Sequence, residues 1–483
     1  MEKPMLFWEW ERLESYVENN FFQISDPGKL LSPIRSVRVW RDQNLRIVME
    51  TKSAEHPMTA REQEYPPGTV RVNDDVVHFT SPGGGVAHAF GVDIRKSKTN
   101  TNHQHGKHET VQTCSLHHFE SNTSYKGAVA YTFDWIANVE RRHYFWPDGV
   151  QESTQEISTR TLGYGTDPVT FTATSSEDSG SRNCLDINVG GFRIILGSSK
   201  LATELDNTKP GYILYIGDPD EETRKRIRDS LSFALGFPII YLGYAKHRED
   251  FKLLSLKAIN GYSMDGRAFN VPVMPPAPIC VPPGSNMLDK GKVETVANSF
   301  FANYSNYSLS SLNWIYWHAV TAPVHMAAAY FGAAIEKIQK KYIEGQGKNF
   351  NNLIIPKQKY NTLKRSIFAA IKECDLSIED KKTFEEKING GNVVSLKVRS
   401  QRFFDHIGLD MGSAELTAWQ RRNDAAHGNE LADGDYISLI RDTKLLKLIL
   451  HRIVLKITGA SALYIDYYSL NFPERELTRG VSE

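Results

Sequence analysis

Between Val271 and Gly284 the chain carries six prolines: Pro272, Pro275, Pro276, Pro278, Pro282 and Pro283. Each fixes φ and lacks an N–H, so neither a helix nor a central strand survives such a density. Residues 271–291 therefore read as an extended, fairly stiff linker and a domain boundary. Before the linker the apolar pattern has the period of a strand. Ser36–Trp40 and Thr69–Asn73 alternate apolar with polar residues, while Gly127–Trp135, Arg193–Leu196 and Tyr212–Gly217 are rich in β-branched and aromatic side chains. These runs are short and separated by Gly, Asn, Asp and Pro, which predicts a β-rich, sandwich or barrel-like domain over 1–270. After the linker the period becomes helical. Helices are expected at Lys292–Ala302, Ser310–Tyr342 with a kink at Pro323, Leu363–Cys374, Ser377–Ile388, Val393–Ile407, Ala414–His427 and Tyr436–Tyr467. The fold class is thus α+β multidomain, with an antiparallel all-α bundle over 292–483.

One helix is expected inside the β-rich part. Asp218 can cap it, Pro219 fits its first position, Glu221 lies three after the cap and Gly236 closes it. Ile227, Leu231, Ala234 and Leu235 form a face for the sheet, and Arg224, Lys225, Arg226 and Arg228 read as a solvated face in preference to an anion site.

The chain has 57 basic and 57 acidic residues, so it is no polycation, and contact with nucleic acid must come from a local patch. Cys114, Cys184, Cys280 and Cys374 lie far apart with no Cys-x-x-Cys pair, which suits a reducing cytosol and gives no disulfide framework. The stretch from Met1-Glu2-Lys3-Pro4 lacks a charged-then-apolar signal pattern, so no signal peptide is expected. The longest apolar helical stretch, Val320–Ile335, is broken by Thr321, Pro323 and His325, too short and polar for a bilayer. A cytoplasmic protein without a membrane partner is expected.

The stretch with most chemistry is Ala418-Trp-Gln-Arg-Arg-Asn-Asp-Ala-Ala-His-Gly-Asn429. His427 precedes Gly428 and Asn429, residues that end helices, so it belongs to a last turn. The partial negative charge of a helix carboxyl end favours a protonated imidazole, which suits proton transfer near neutral pH. Arg422 stays charged and can clamp a phosphate through paired hydrogen bonds. Asn423, one turn before His427, can orient the ring. On a straight helix, residues five apart point roughly 140° from each other. Convergence needs the long arginine to bend round, a distorted last turn or a second chain.

Arg422-Asn423-Asp424-Ala425-Ala426-His427 resembles the Arg-polar-x3-His signature of HEPN ribonucleases, carried in a helical bundle near the chain end. A β-rich domain ahead of such a bundle is similar to the ApeA-type anti-phage defence proteins. The resemblance implies a metal-independent endoribonuclease with no cofactor. Arg422 and His427 would be catalytic, Asn423 supporting, and Glu336 the acidic residue that some members draw from an earlier helix. Two motifs would meet in a homodimer. It further implies host RNA such as tRNA as substrate and a phage component as trigger, sensed by the first domain. Read from the residues, Lys337, Lys340, Lys341 and Arg421 are candidate RNA contacts, with Tyr342, Phe350 and Tyr360 interleaved for base stacking; Glu336 could instead pair with Lys340.

Two other readings remain. One is a catalytically idle bundle that binds RNA or protein. The other is a metal-dependent enzyme built on Asn102–Phe119, where His103, His105, His108, Cys114, His117 and His118 offer zinc-type ligands. Their spacing matches no finger, and the stretch reads as an exposed polar loop, part of a recognition surface. Ser81-Pro82-Gly83-Gly84-Gly85 lacks the Lys-Ser/Thr of a phosphate loop and reads as a tight turn.

Overall fold

Ile47–Ser53 alternates buried and half-buried residues along its whole length, as a strand with one face in a core must. The structure, a computed structural model, describes residues 10–481 except 22, 55–65, 67, 70–73, 103–106, 140–145, 163–168, 200–208, 262–276, 282–284, 286 and 427–435. Side chains at 101, 102, 107, 152, 154, 156, 162, 169, 325, 348 and 423–426 also lie outside the description. The chain divides into two compact units at Phe301/Ala302.

The first unit begins with α1 (Leu13–Asn20), then β1 (Gln23–Asp26), β2 (Ile34–Arg41), β3 (Ile47–Ser53), β4 (Val76–Thr80) and β5 (Val86–Phe90). Next come β6 (Asp93–Asn102), β7 (Lys107–Leu116), β8 (His118–Asn122), β9 (Tyr131–Ala137), β10 (Asp148–Leu162), β11 (Val169–Val189), β12 (Phe192–Ser198) and β13 (Gly211–Ile216). It closes with α2 (Glu221–Leu235), β14 (Ile240–His247), β15 (Leu253–Ile259) and α3 (Lys290–Ala302). Among the described residues there are two sheets in this unit. The larger runs β1-β4-β5-β8-β15-β14-β9-β13-β12-β11-β10 and the smaller β2-β3-β7-β6. Apolar side chains of both meet in one core with Trp10, Leu13 and Val17: Val39, Ile47 and Met49 from the small sheet, Phe79, Phe119 and Trp135 from the large. Two antiparallel sheets over a shared core bear out the β-rich expectation.

Where it is described, the stretch Asn102–Phe119 is not a polar loop but the last residue of β6, all of β7 and the start of β8. Its alternate residues Thr110, Gln112, Cys114 and Leu116 are buried, so period two prevailed over the polar composition. The glycine-rich turn is as expected: Ser81 N donates to Gly85 O at 2.9 Å between β4 and β5. Of the expected strand Thr69–Asn73, residues 70–73 lie outside the described residues.

Helix α2 starts two residues later than the sequence suggested. Asp220, not Asp218, caps it, its carboxylate accepting from Thr223 N at 2.7 Å. Gly236 ends it in the left-handed region at φ 78°. Ile227, Leu231, Ala234 and Leu235 are fully buried, and each large side chain contributes about 1.5–3 kcal/mol. The basic run is not a solvated face. Arg224 Nη1 donates to Asp134 Oδ1 at 3.0 Å, Arg228 donates to the other Asp134 oxygen, and Arg228 Nη2 reaches Glu221 at 2.7 Å. Tyr215 Oη also donates to Asp134, at 3.0 Å. Burial works against the charge on Arg228, but Asp134 and Glu221 outweigh it and hold its pKa well above the ordinary value. A carboxylate on the covered face of β9 is what an arginine-rich helix needs in order to dock there.

The proline-rich segment is no bare linker where it is described, since Ala277, Ile279, Cys280 and Leu288 are buried. The helix expected to open the bundle at 292 is α3, and it belongs to the first unit. Asn298 donates to Asn188 O at 2.7 Å, and Phe300 stacks on Phe233 at 5.2 Å. The division therefore falls about ten residues later than the change of period.

The second unit contains α4 (Leu309–Thr321), α5 (Val324–Gln346), α6 (Lys357–Glu373), α7 (Ile378–Gly390), α8 (Leu396–Ile407), α9 (Ser413–Ala426) and α10 (Tyr436–Thr458). A small hairpin, β16 (Leu463–Ile465) and β17 (Glu474–Glu476), follows. Pro323 breaks the expected long helix outright, because a proline there has no N–H to continue the ladder. Tyr316 of α4 then folds back on Phe331 of α5, ring to ring at 6.0 Å. The last helix ends at Thr458, nine residues before the expected Tyr467, because Gly459 takes φ 68° and the chain enters β16. Helices α4, α5, α9 and α10 pack on one another, whereas α6 and α7 pair as a hairpin with few buried residues. Fully buried Arg452 on α10 pairs with Glu415 on α9, and its Nη2 donates to Asp410 O at 2.8 Å. No helix of the described residues is long and apolar enough to cross a membrane.

Candidate active site

The bundle brings together Arg422 of α9 and Glu336 of α5, residues 86 apart in sequence. Helix α5 passes close because Gly332, one turn before Glu336, has no side chain. A Cβ there would stand 2.9 Å from Arg422 Cδ. The arginine stem lies across that gap. Its Nε and Nη2 donate to Glu336 Oε1 at 3.1 and 2.7 Å, and Nη1 donates to Trp419 O. The guanidinium also sits 3.5 Å from the centre of the Trp419 ring, a cation–π contact. Three of the five N–H groups are thereby used. The Arg422 side chain is 8% exposed and that of Glu336 37%, so the pair is open at its carboxylate end.

Glu336 therefore pairs with Arg422, not with Lys340. Asn423 lies on α9 with its side chain outside the described residues, and His427 lies outside them altogether. Lys337 and Lys340 are exposed on α5 beside Glu336, and Lys341 is half-buried, 3.5 Å from Glu344. Arg421 is exposed and reaches Asp442 of α10 at 3.7 Å. Burial raises the carboxyl pKa of Asp442, partly offset by Arg421.

Of the aromatic residues singled out for base stacking, Phe350 is buried while Tyr342 and Tyr360 are half-buried, and all three have partners within the unit. Phe350 is buried against His406, the Tyr342 ring lies 5.4 Å from Phe403, and Tyr360 donates to Ile388 O. Sequence reading missed Gly332 and Trp419. It also missed the buried pair in which His451 Nε2 and Tyr316 Oη lie 2.9 Å apart. Burial, then the nearby charge of Lys447, presses the His451 pKa down to about 3, so this ring is no proton carrier at neutral pH.

The histidine-rich stretch forms no metal centre among the described residues, where no group of three His, Cys, Asp or Glu side chains could hold an ion. Burial and Asp93 push the Cys114 thiol up to about 12, which disfavours the thiolate a metal needs. His117 and His118 lie side by side, Nδ1 to Nδ1 at 2.9 Å, and His108 sits half-buried on β7. His103 and His105 lie outside the described residues.

No protein-family model, no curated protein and no solved structure matches the chain.

Proposed function

We propose that the second unit is a metal-independent endoribonuclease of the HEPN class. The observation that supports this reading is the Arg422–Glu336 pair, a guanidinium set by an acidic residue of an earlier helix five residues before a histidine. In the proposed reaction the ribose 2′-hydroxyl attacks the adjacent phosphorus while His427 takes or gives the proton. Arg422 stabilises the charge that grows on the phosphoryl oxygens, Glu336 holds the guanidinium plane, and Asn423 supports the ring. The P–O5′ bond breaks, leaving a 2′,3′-cyclic phosphate and a 5′-hydroxyl. Lys337, Lys340, Lys341 and Arg421 draw the RNA backbone. A homodimer supplies a second histidine, so that one acts as base and the other as acid. The first unit senses a phage-derived trigger in the cytoplasm and restrains the nuclease until then, with host RNA such as tRNA as the substrate. The test is RNA cleavage by the purified chain in chelator, with cyclic-phosphate ends on the products. Cleavage that persists in both Arg422→Ala and His427→Ala rules the reading out.

A second reading has its own observation. At 8% exposure, with its donors on Glu336 and Trp419, Arg422 is well placed to bolt α9 to α5. That favours an idle bundle serving as an RNA- or protein-binding scaffold. Such a scaffold would keep its biological effect in His427→Ala.

A further inference from the structure

The chain of the first unit crosses between its two sheets twice at one corner, from Phe90 of β5 to Asp93 of β6 and from Leu116 of β7 to His118 of β8. Backbone bonds fix the corner: His117 N donates to Phe90 O at 2.9 Å, and Asn260 N donates to His117 O at 3.0 Å. A cavity of about 1120 Å³ opens there, with Asp42, Arg46, Phe90, Arg95, His117 and His118 in its wall. Pockets for drug-sized ligands measure roughly 300–1,000 Å³, so the space suffices for one small molecule.

The wall has three kinds of chemistry. Phe90 and His118 are stacked at 4.3 Å and 16°, with the His117 ring set edge-on to His118 at 5.2 Å. Such a flat, partly exposed pile accepts another flat ring whatever its substituents, because every base has a π face. Arg95 is 68% exposed yet held in place, its Nε 3.0 Å from both Asp93 and Ser115 Oγ. A positioned, accessible guanidinium suits a phosphate. Asp42, fixed by accepting from Asn44 N and Arg46 N at 2.9 Å, offers a carboxylate to sugar hydroxyls. Asp42, Asp74 and Asp93 in the same wall oppose a polyanion, so the balance favours one phosphate over a strand of RNA.

We propose that this corner of the first unit is a binding site for a nucleoside monophosphate, its base on the Phe90–His118 stack and its phosphate on Arg95. The site is separate from the chemistry proposed for the bundle, and its test does not use RNA cleavage. Isothermal titration of the full chain with AMP, GMP, CMP and UMP, with the matching nucleosides and with inorganic phosphate, decides it. One nucleotide per chain is expected. Phe90→Ala should weaken nucleotide and nucleoside alike, about tenfold or more. Arg95→Ala, an exposed change that leaves the core intact, should weaken the nucleotide and leave the nucleoside unchanged. Binding that survives both changes overturns the proposal. So does inorganic phosphate binding as tightly as any nucleotide, or no binding of any nucleotide at millimolar concentration.

Discussion

Each unit of this protein holds an arginine against a carboxylate on a packed element, and the two arrangements differ in one respect. In the first unit Asp134 is fully buried, Arg224 and Arg228 are 2% and 7% exposed, and Tyr215 completes the cluster. In the second unit Arg422 is nearly as buried but its partner Glu336 is 37% exposed. Asp134 is sealed, its charge answered by two arginines and a tyrosine, and the one exposed carboxylate of the cluster, Glu221, lies at its rim, so the contribution is to docking α2. In the second pair two of the five Arg422 N–H groups are left over, and only the half-exposed Glu336 carboxylate would have to turn aside for a phosphate to reach the guanidinium. The sealed cluster should therefore answer to stability measurements and the open pair to activity measurements.

The largest expected effect is on activity. If the bundle cleaves RNA, Arg422→Ala and His427→Ala should each reduce cleavage by roughly 10²–10⁴-fold. The first unit's melting transition should not move. Equal cleavage by wild type and both variants would remove the distinction between the two arginine sites. Next in size, Asp134→Ala strands Arg224 and Arg228 in the interior with Glu221 as their remaining acidic partner. It should destabilise the first unit by about 3–5 kcal/mol in urea unfolding. A loss under about 1 kcal/mol would show that the sealed cluster is not what holds α2 down.

How much of this was legible in the sequence depended on which interactions are local. The face of α2 followed from the spacing of Ile227, Leu231, Ala234 and Leu235, all of which are buried. The solvated reading of Arg224 and Arg228 failed because Asp134, on β9, is 90 and 94 residues away and nothing local announces it. Glu336 was nameable as an acidic candidate, yet its choice of Arg422 over Lys340 depends on Gly332 letting α9 approach. The long helix written across Pro323 failed locally, where the apolar period ran on through a residue that cannot continue the ladder. The His-rich stretch was misread because polar composition was weighed above alternation, and alternation decided the strand.

The two units should also differ in acid. Each buries a histidine: burial lowers His247 of the first to about 4, and burial together with Lys447 lowers His451 of the second to about 3. Both are neutral in the fold and would titrate near 6.5 when unfolded. Their stabilisation is complete above about pH 6.5 and falls as protons bind the unfolded chain, by about 1.4 kcal/mol per pH unit for each ring. The loss should level off near pH 4 for His247 and continue to about pH 3 for His451. Unfolding followed from pH 7 to 4 should show a flatter dependence for the second unit in His451→Gln. An unchanged slope would mean that the buried ring is not the acid-sensitive group.

The smallest contrast is between two helix caps. Asp220 accepts from Thr223 N at 2.7 Å at the start of α2, and Ser395 accepts from Val398 N at 3.4 Å at the start of α8. The shorter bond comes from an ionised carboxylate beside the positive end of the helix, and Thr223 N lowers the Asp220 pKa accordingly. Replacing a cap by alanine costs about 0.5–2 kcal/mol. Asp220→Ala should lower the transition of its own unit by more than Ser395→Ala lowers that of the other. The Asp220 cap should also weaken on acidification, since its carboxylate must stay ionised to accept well, while the Ser395 cap should not respond. Equal costs at pH 7, or equal responses to acid, would show that the two caps are held by the backbone around them and not by the side chains named here.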